Sequence, residues 1–300
     1  MKVLVMGHAR DQHAVHMLGA LEAAGVQAEL FDTSLFPMKA QLTWNPEESS
    51  GQIVLPNGNR LAFNDIHSVY WRTINSIKIA DVDPEQRYLA NRDAMSTLRT
   101  FLNGTPAKWV NSWKAYEYHK EKPLQLAHAA RLGVKIPRSI VTNSPDDVLN
   151  FVKSVNKAIY KPVYGGAHTD YVSEELLDAE RLKSALAVSP VTLQEYIAGT
   201  NIRTYVIGEE TFSAEIVSGN VDFREDDSAT LRPVELPEKL KALSIQVARE
   251  FDLQWTAIDW RRDETGEHYF LEANPSPMFI HFEKQTGYPI TEKMVALLTS

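Results

Sequence analysis

The stretch Thr256 to Pro277, TAIDWRRDETGEHYFLEANPSP, constrains the fold more than any other part of the chain. Apolar and polar residues alternate on both sides of a polar cluster, so it reads as two short strands joined by a turn at Asp263 to Glu267. On the first strand Ile258 and Trp260 flank Asp259. On the second Tyr269 and Leu271 precede Glu272, so alternation places each acid opposite these apolar neighbours. Pairing through the turn brings Asp259 and Glu272 close together. Asn274 lies two positions beyond Glu272 and projects from the same face, while Pro275 and Pro277 stiffen the exit. Two carboxylates and an amide oxygen then face one spot. Such oxygen donors suit Mg²⁺, which takes one or two protein carboxylates and completes its shell with water and phosphate oxygens. The competing expectation is an amphipathic hairpin with ordinary solvent-facing acids, the commoner situation for any single acidic residue in a strand.

A chain of 300 residues exceeds a typical single domain, and two or three lobes are expected. Its 44% hydrophobic and 23% charged residues are those of a globular protein, and no apolar run approaches the roughly 20 residues of a membrane span. The apolar run in MKVLVMGHARD ends at Gly7, too short for a signal-peptide core, so a cytoplasmic location is expected. The absence of cysteine excludes thiolate nucleophiles, disulfides and cysteine metal sites. A net charge of -8 without a Lys/Arg run argues against nucleic-acid binding, so neither nucleic acid nor membrane is an expected partner.

Lys2 to Met6, a helical pattern at about Ala14 to Ala24 and an apolar run at Ala28 to Phe31 predict a βαβ opening with a parallel sheet. His8, Arg10, Asp11 and His13 would then lie near a crevice at the strand ends. A zinc reading of His8, His13 and His16 is rejected, because His8 precedes the helix and no HExxH pattern is present. The flanks of Pro56-Asn57-Gly58-Asn59 predict a hairpin. Ile66 to Trp71 predicts a buried strand that delivers Arg72 to a carboxylate, a phosphate or a surface ion pair. Asp83 and Pro84 open a helix that closes near Asn103-Gly104. Lys114 to Leu132 reads as one helix carrying Lys120 and Lys122, followed by a βα unit from Ser139 and a strand from Ala158 into Lys161. Gly165 and Gly166 in the next loop let backbone N–H groups approach an anion, with Lys161 as a point charge, although paired loop glycines are more often only a turn. Val191 to Ile197, the run from Arg203 and Thr211 to Val217 predict antiparallel sheet; Leu236 to Phe251 and Thr291 to Leu298 predict helices.

Taken in chain order, Lys122, Lys161 with its glycine loop, Gln194-Glu195-Tyr196-Ile197, Arg203, Asp259 and Glu272-Ala273-Asn274-Pro275 resemble the ATP-grasp superfamily. QEYI, the Ile202-Arg203 pair and the E-x-N-x-S-P ending are similar to the RimK-type ligases. HARDQHA, FDTSLFP, VYWR and the closing FEKQTGYPI are similar to the microviridin and graspetide peptide ligases. The resemblance implies an α/β (α+β) chain with the ATP-grasp fold. An N-terminal parallel-sheet, pre-ATP-grasp domain would cover 1–104 and an ATP-grasp domain 105–300. The latter would hold a small lid lobe at about 136–193 and a C-terminal mixed or antiparallel sheet lobe at about 194–300.

The same resemblance implies ATP with Mg²⁺, or Mn²⁺ in its place, and Asp259, Glu272 and Asn274 as metal ligands. Lys122, Lys161, Gly165, Gly166, Gln194, Glu195, Tyr196, Ile197 and Arg203 would bind the nucleotide, Lys161 and Arg203 would be catalytic, and Arg72, Arg224 and Ser276 would anchor substrate. His168 and Thr169 stand where the family's loop often has further glycines, which weakens phosphate closure by this loop; Ala257 stands where the D-alanine ligase branch has arginine, so the oxyanion role passes to Arg203. The implied reaction joins a carboxylate, activated as an acyl phosphate, to an amine or hydroxyl. A ribosomally made precursor peptide is the first expected substrate. RimK-like addition of an amino acid to a protein or small metabolite is the alternative, and a non-catalytic nucleotide-responsive binding protein is a third reading. Homodimers are common among the ligases this chain resembles, so the resemblance allows a homodimer without fixing the oligomeric state.

Overall fold

Four consecutive buried side chains, Val3 to Met6, make β1 (Lys2–Met6) an interior strand. Asp11 then caps α1 (Gln12–Ala23), its carboxylate accepting from the His13 and Ala14 N–H groups. β2 (Gln27–Phe31) returns parallel to β1. This computed structural model describes residues 1–164, 169–218 and 229–300. The hairpin around Asn57-Gly58 is part of a three-stranded antiparallel ribbon, β3 (Gln41–Asn45), β4 (Ser50–Val54) and β5 (Arg60–Ala62). β6 (Ile66–Trp71) and, after α2 (Pro84–Gly104), β7 (Lys108–Val110) complete a parallel sheet in the order β2-β1-β6-β7. The expected βαβ opening and the Asp83 cap are both present.

The single helix expected over Lys114 to Leu132 is two helices, α3 (Trp113–His119) and α4 (Lys122–Arg131). Pro123 has no N–H, and inside a continuous helix its ring would strike the carbonyl of His119 four residues back. The chain therefore restarts, with Lys122 as the first residue of α4 and Pro123 in its first turn.

A small lobe follows: β8 (Ser139–Thr142), α5 (Pro145–Ser154), β9 (Ala158–Pro162), β10 (Asp170–Tyr171), α6 (Ala179–Val188) and β11 (Val191–Glu195). Its sheet runs β10-β9-β11-β8, with β11 antiparallel to β9 and β8. Val148, Leu182, Leu186 and Leu193 form its core, where Leu182 and Leu186 share one face of α6. Next come β12 (Gly199–Ile207), β13 (Glu210–Val217), β14 (Thr230–Pro233), α7 (Glu238–Glu250), β15 (Trp255–Asp263) and β16 (His268–Asn274), in a sheet ordered β14-β13-β12-β15-β16. α8 (Ile280–Thr286) and α9 (Ile290–Thr299) close the chain, α9 against α1 and β6. The chain divides into two units, Met1–Ala115 with Asp252–Trp255 and Ser276–Ser300, and Tyr116–Phe251 with Thr256–Pro275. Among the described residues, no helix is long and apolar enough to cross a membrane.

β12 begins at Gly199, earlier than the expected opening at Arg203, and only glycine fits at that first position. Its φ is +142°, and a Cβ would lie 2.0 Å from the Arg262 carbonyl oxygen. Gly199→Ala is expected to destabilise the protein by about 2–4 kcal/mol, through strain and overpacking together. A denaturation midpoint equal to the parent's would contradict that close approach.

Candidate active site

The hairpin of β15 and β16 sets the site. Asp263 Oδ1 accepts from the Thr265 and Glu267 N–H groups, fixing the turn where the sequence places it. The strands then pair with Asp259 directly opposite Glu272 and Ala257 opposite Asn274. One expectation is corrected here. The register shifts between Asp259 and Trp260, which sets Trp260 opposite Phe270 and leaves Leu271 as the extra residue of a bulge. Phe270 and Ala273 are buried, as are Ile258 and Trp260, whereas Tyr269 and Leu271 are half-buried. In a regular strand Phe270 and Glu272 would share a face. The bulge lets one sit in the core while the other faces the site.

Like charges directly opposite one another on paired strands repel, and a cation stands against each acid. Arg203 of β12 donates from Nε and Nη2 to the two carboxylate oxygens of Asp259, at 2.8 Å each. Lys122 donates to Glu272 Oε2. Burial pushes the Glu272 carboxyl up, but the charge and hydrogen bond of Lys122, with the charge of Lys161, outweigh it and hold the pKa at about 2. Burial also opposes the charge of Arg203, and Asp259 with Glu272 reverses that, raising its pKa.

Lys161, on β9, donates to Gln194 Oε1 at 3.2 Å, and Gln194 Nε2 donates to Ser139 Oγ at 2.9 Å. Along the next residues, the Glu195 and Tyr196 N–H groups donate to the carbonyls of Arg138 and Lys157. Arg261, two positions after Asp259, donates to the Ile197 carbonyl at 2.8 Å, to Asn201 Oδ1 at 3.0 Å and to the Tyr196 hydroxyl at 3.1 Å. The Gln194 to Ile197 segment is thereby tied to the strand that carries Asp259.

Arg72 and Ser276 meet each other in the other unit. Arg72 Nη1 donates to the Ser276 carbonyl at 2.8 Å and to its Oγ at 3.0 Å, and Arg72 Nε donates to Asp11 at 3.2 Å. Only 11% of the Arg72 side chain is exposed, so this is not a surface ion pair. Gly165, Gly166 and Arg224 lie outside the described residues. Three further side chains bear on this region without standing out in the sequence: Arg261, and His119 and Gln125, which both hydrogen-bond to the Ala273 backbone. The spacing of His119, Lys122 and Gln125 by three residues each was the available signal.

Residues 2–117 match the MvdD pre-ATP grasp domain, and residues 119–298 match the RimK-like ATP-grasp domain. The chain belongs to the RimK-like ATP-grasp family. Its parallel N-terminal sheet and later antiparallel sheets bear out the expected ATP-grasp fold. The probable alpha-L-glutamate ligase of an Enterobacter species is 29% identical over 202 residues, 62% of this chain and 66% of that protein. The ribosomal protein bS6–L-glutamate ligase of Salmonella paratyphi B is 30% identical over 206 residues, 62% of this chain and 65% of that protein. The chain thus spans slightly less than two thirds of the length of these relatives. The ATP-grasp ligase PsnB, solved in complex with minimal precursor, is 28% identical with a TM-score of 0.86, covering 99% of this chain and 97% of that one. PsnB complexed with minimal precursor, Mg and ADP is 27% identical with a TM-score of 0.83, covering 99% and 98%.

Proposed function

We propose that this protein is an ATP-dependent ligase that joins a carboxylate to a hydroxyl or amine, with side chains of a ribosomally made precursor peptide as substrate. The observation that carries this reading is the opposition of Asp259 and Glu272 in register, each held by a cation. A solvated acidic face has no need of a buried arginine fork. The structures of PsnB with minimal precursor, Mg and ADP support the choice of nucleotide, ion and peptide.

A carboxylate is a poor electrophile, because its charge repels nucleophiles and oxide does not leave. Transfer of the γ-phosphoryl group of ATP to a carboxylate oxygen gives an acyl phosphate and ADP. The hydroxyl or amine then attacks the acyl carbon, phosphate departs and a proton is released. Protein catalysis of such a sequence is mostly positioning and charge neutralisation. Asp259, Glu272 and Asn274 form a hard oxygen set that fits Mg²⁺. Bound there, the ion supplies neutralisation of phosphate charge. Lys122 and Lys161 act as point charges on the phosphates, joined by the N–H groups of Gly165 and Gly166. Arg203 keeps Asp259 aligned and offsets charge at the reacting oxygens. The Glu195 to Ile197 segment, stiffened by Arg261, holds the adenine, and the lobe of β8 to β11 serves as a lid that excludes water from the acyl phosphate. Arg72, Ser276 and Arg224 anchor the peptide.

Lys161→Ala is expected to raise the KM for ATP about 10- to 100-fold, the effect of losing one hydrogen bond to a charged group. An unchanged KM would remove Lys161 from the nucleotide site. The reaction itself is tested by incubation with ATP, Mg²⁺ and a peptide rich in Thr and Glu/Asp, followed by intact mass measurement. Loss of one water per new bond is expected, and an unaltered mass with every such peptide would overturn the peptide assignment. A second reading, glutamate addition to a protein, has the support of the Salmonella relative and would appear as mass gain by glutamate.

A further inference from the structure

We infer that His119 is a positioning residue for Lys122, aiming its ammonium group at the nucleotide phosphates. This rests on the proposed role of Lys122 in nucleotide binding. α3 ends at His119 and α4 begins at Lys122, and Lys122 Nζ lies 3.3 Å from His119 Nε2. On the other side of the ring, His119 Nδ1 lies 3.0 Å from the Ala273 carbonyl oxygen. A carbonyl only accepts and an ammonium only donates. One neutral tautomer satisfies both contacts: Nδ1 carries the proton and donates it to Ala273, and Nε2 accepts from Lys122.

Gln125 holds the same residue through the two peptide groups that flank its Cα. Its Oε1 accepts from the Ala273 N–H at 3.2 Å, and its Nε2 donates to the Ala273 carbonyl at 3.2 Å. Gln125 Nε2 also lies 3.5 Å from His119 Nδ1, at the edge of hydrogen-bond range, so the carbonyl is its partner. Ala273 separates Glu272 from Asn274. The ring that reads its carbonyl therefore ties the lysine to the backbone of the acidic strand. Without this acceptor, Lys122 keeps Glu272 as its anionic partner and turns toward it, which withdraws the ammonium group from an incoming phosphate. A histidine that only filled space would be replaced by any ring of similar size, and its Nε2 would have no bearing on nucleotide affinity.

The two amide substitutions separate the two ring nitrogens. His119→Asn keeps a donor for Ala273 and loses the acceptor for Lys122; His119→Gln places an amide oxygen where Nε2 lies. Steady-state kinetics with varied ATP, calorimetric titration with ADP and Mg²⁺, and thermal melting are measured on both, on Lys122→Met and on the Lys122→Met/His119→Asn double variant. We expect His119→Asn to raise the KM for ATP about tenfold, with a smaller change in kcat and little change in melting temperature. His119→Gln should recover most of the loss, and the double variant should bind ADP no more weakly than Lys122→Met alone. A parental KM for His119→Asn, beside lost ADP affinity for Lys122→Met, would overturn this inference and leave the site intact. Parental ADP affinity for Lys122→Met would overturn the nucleotide-binding role of Lys122 itself. Lowered melting temperatures in both His119 variants with unchanged KM would assign the ring to packing alone.

Discussion

Glu272→Gln is expected to reduce ATP-dependent ligation by about 100-fold or more, the scale of loss when a transition-state charge stabiliser is removed. The substitution preserves shape and keeps a polar side chain opposite Asp259, so the strands stay paired. It removes the charge that Lys122 neutralises and one of the two carboxylates proposed to grip the ion. Because the carboxyl is held at a pKa of about 2, it is charged throughout the neutral range, where the parent protein does not resemble the uncharged variant. ADP release and product mass check the activity, and thermal melting checks the fold. Turnover equal to the parent's would remove Glu272 from the chemistry.

Arg203→Met carries the largest expected loss of stability, about 3–5 kcal/mol, because breaking a buried ion pair strands the remaining charge. The side chains of Arg203 and Asp259 are 19% and 11% exposed, and the two hydrogen bonds between them are parallel and short. Methionine fills similar volume, so the loss reports the orphaned carboxylate more than a cavity. A divalent ion bound beside Asp259 replaces part of the missing charge. Urea unfolding with and without Mg²⁺ should therefore show a larger stabilisation by the ion in the variant than in the parent. A loss below about 1 kcal/mol, the range of exposed pairs, would mean that Asp259 finds water or another partner when Arg203 is gone.

The parts of the fold legible in the sequence are those set by local chemistry. Asp83 before Pro84 marks a helix start, Asn57-Gly58 a hairpin, and Lys2 to Met6 a buried strand, and each stands where its pattern places it. The helix break at Pro123 was also local, but the periodicity from Lys114 to Leu132 obscured it. The bulge at Leu271 was not legible, because strict alternation cannot register an extra residue whose fit is decided by the partner strand. α6 and α8 were not expected because neither opens on the cap-and-proline pair that marks the starts of α2 and α5. At the site, Asp259, Glu272 and Asn274 could be assembled from one hairpin because the contacts are near in sequence. The pairing of Arg203 with Asp259 spans 56 residues, and that of Lys122 with Glu272 spans 150. Neither follows from spacing. His119 and Gln125 reach Ala273 across similar distances in the chain, which is why their part in the site emerges only from the fold.

The most direct test is a crystal structure of the protein with ADP and Mg²⁺. One ion is expected, with oxygen atoms of Asp259, Glu272 and Asn274 at about 2.1 Å, the length that Mg²⁺ demands, and phosphate oxygens completing its shell. Nucleotide bound with its ion elsewhere, and the two carboxylates still occupied by Arg203 and Lys122 alone, would contradict it.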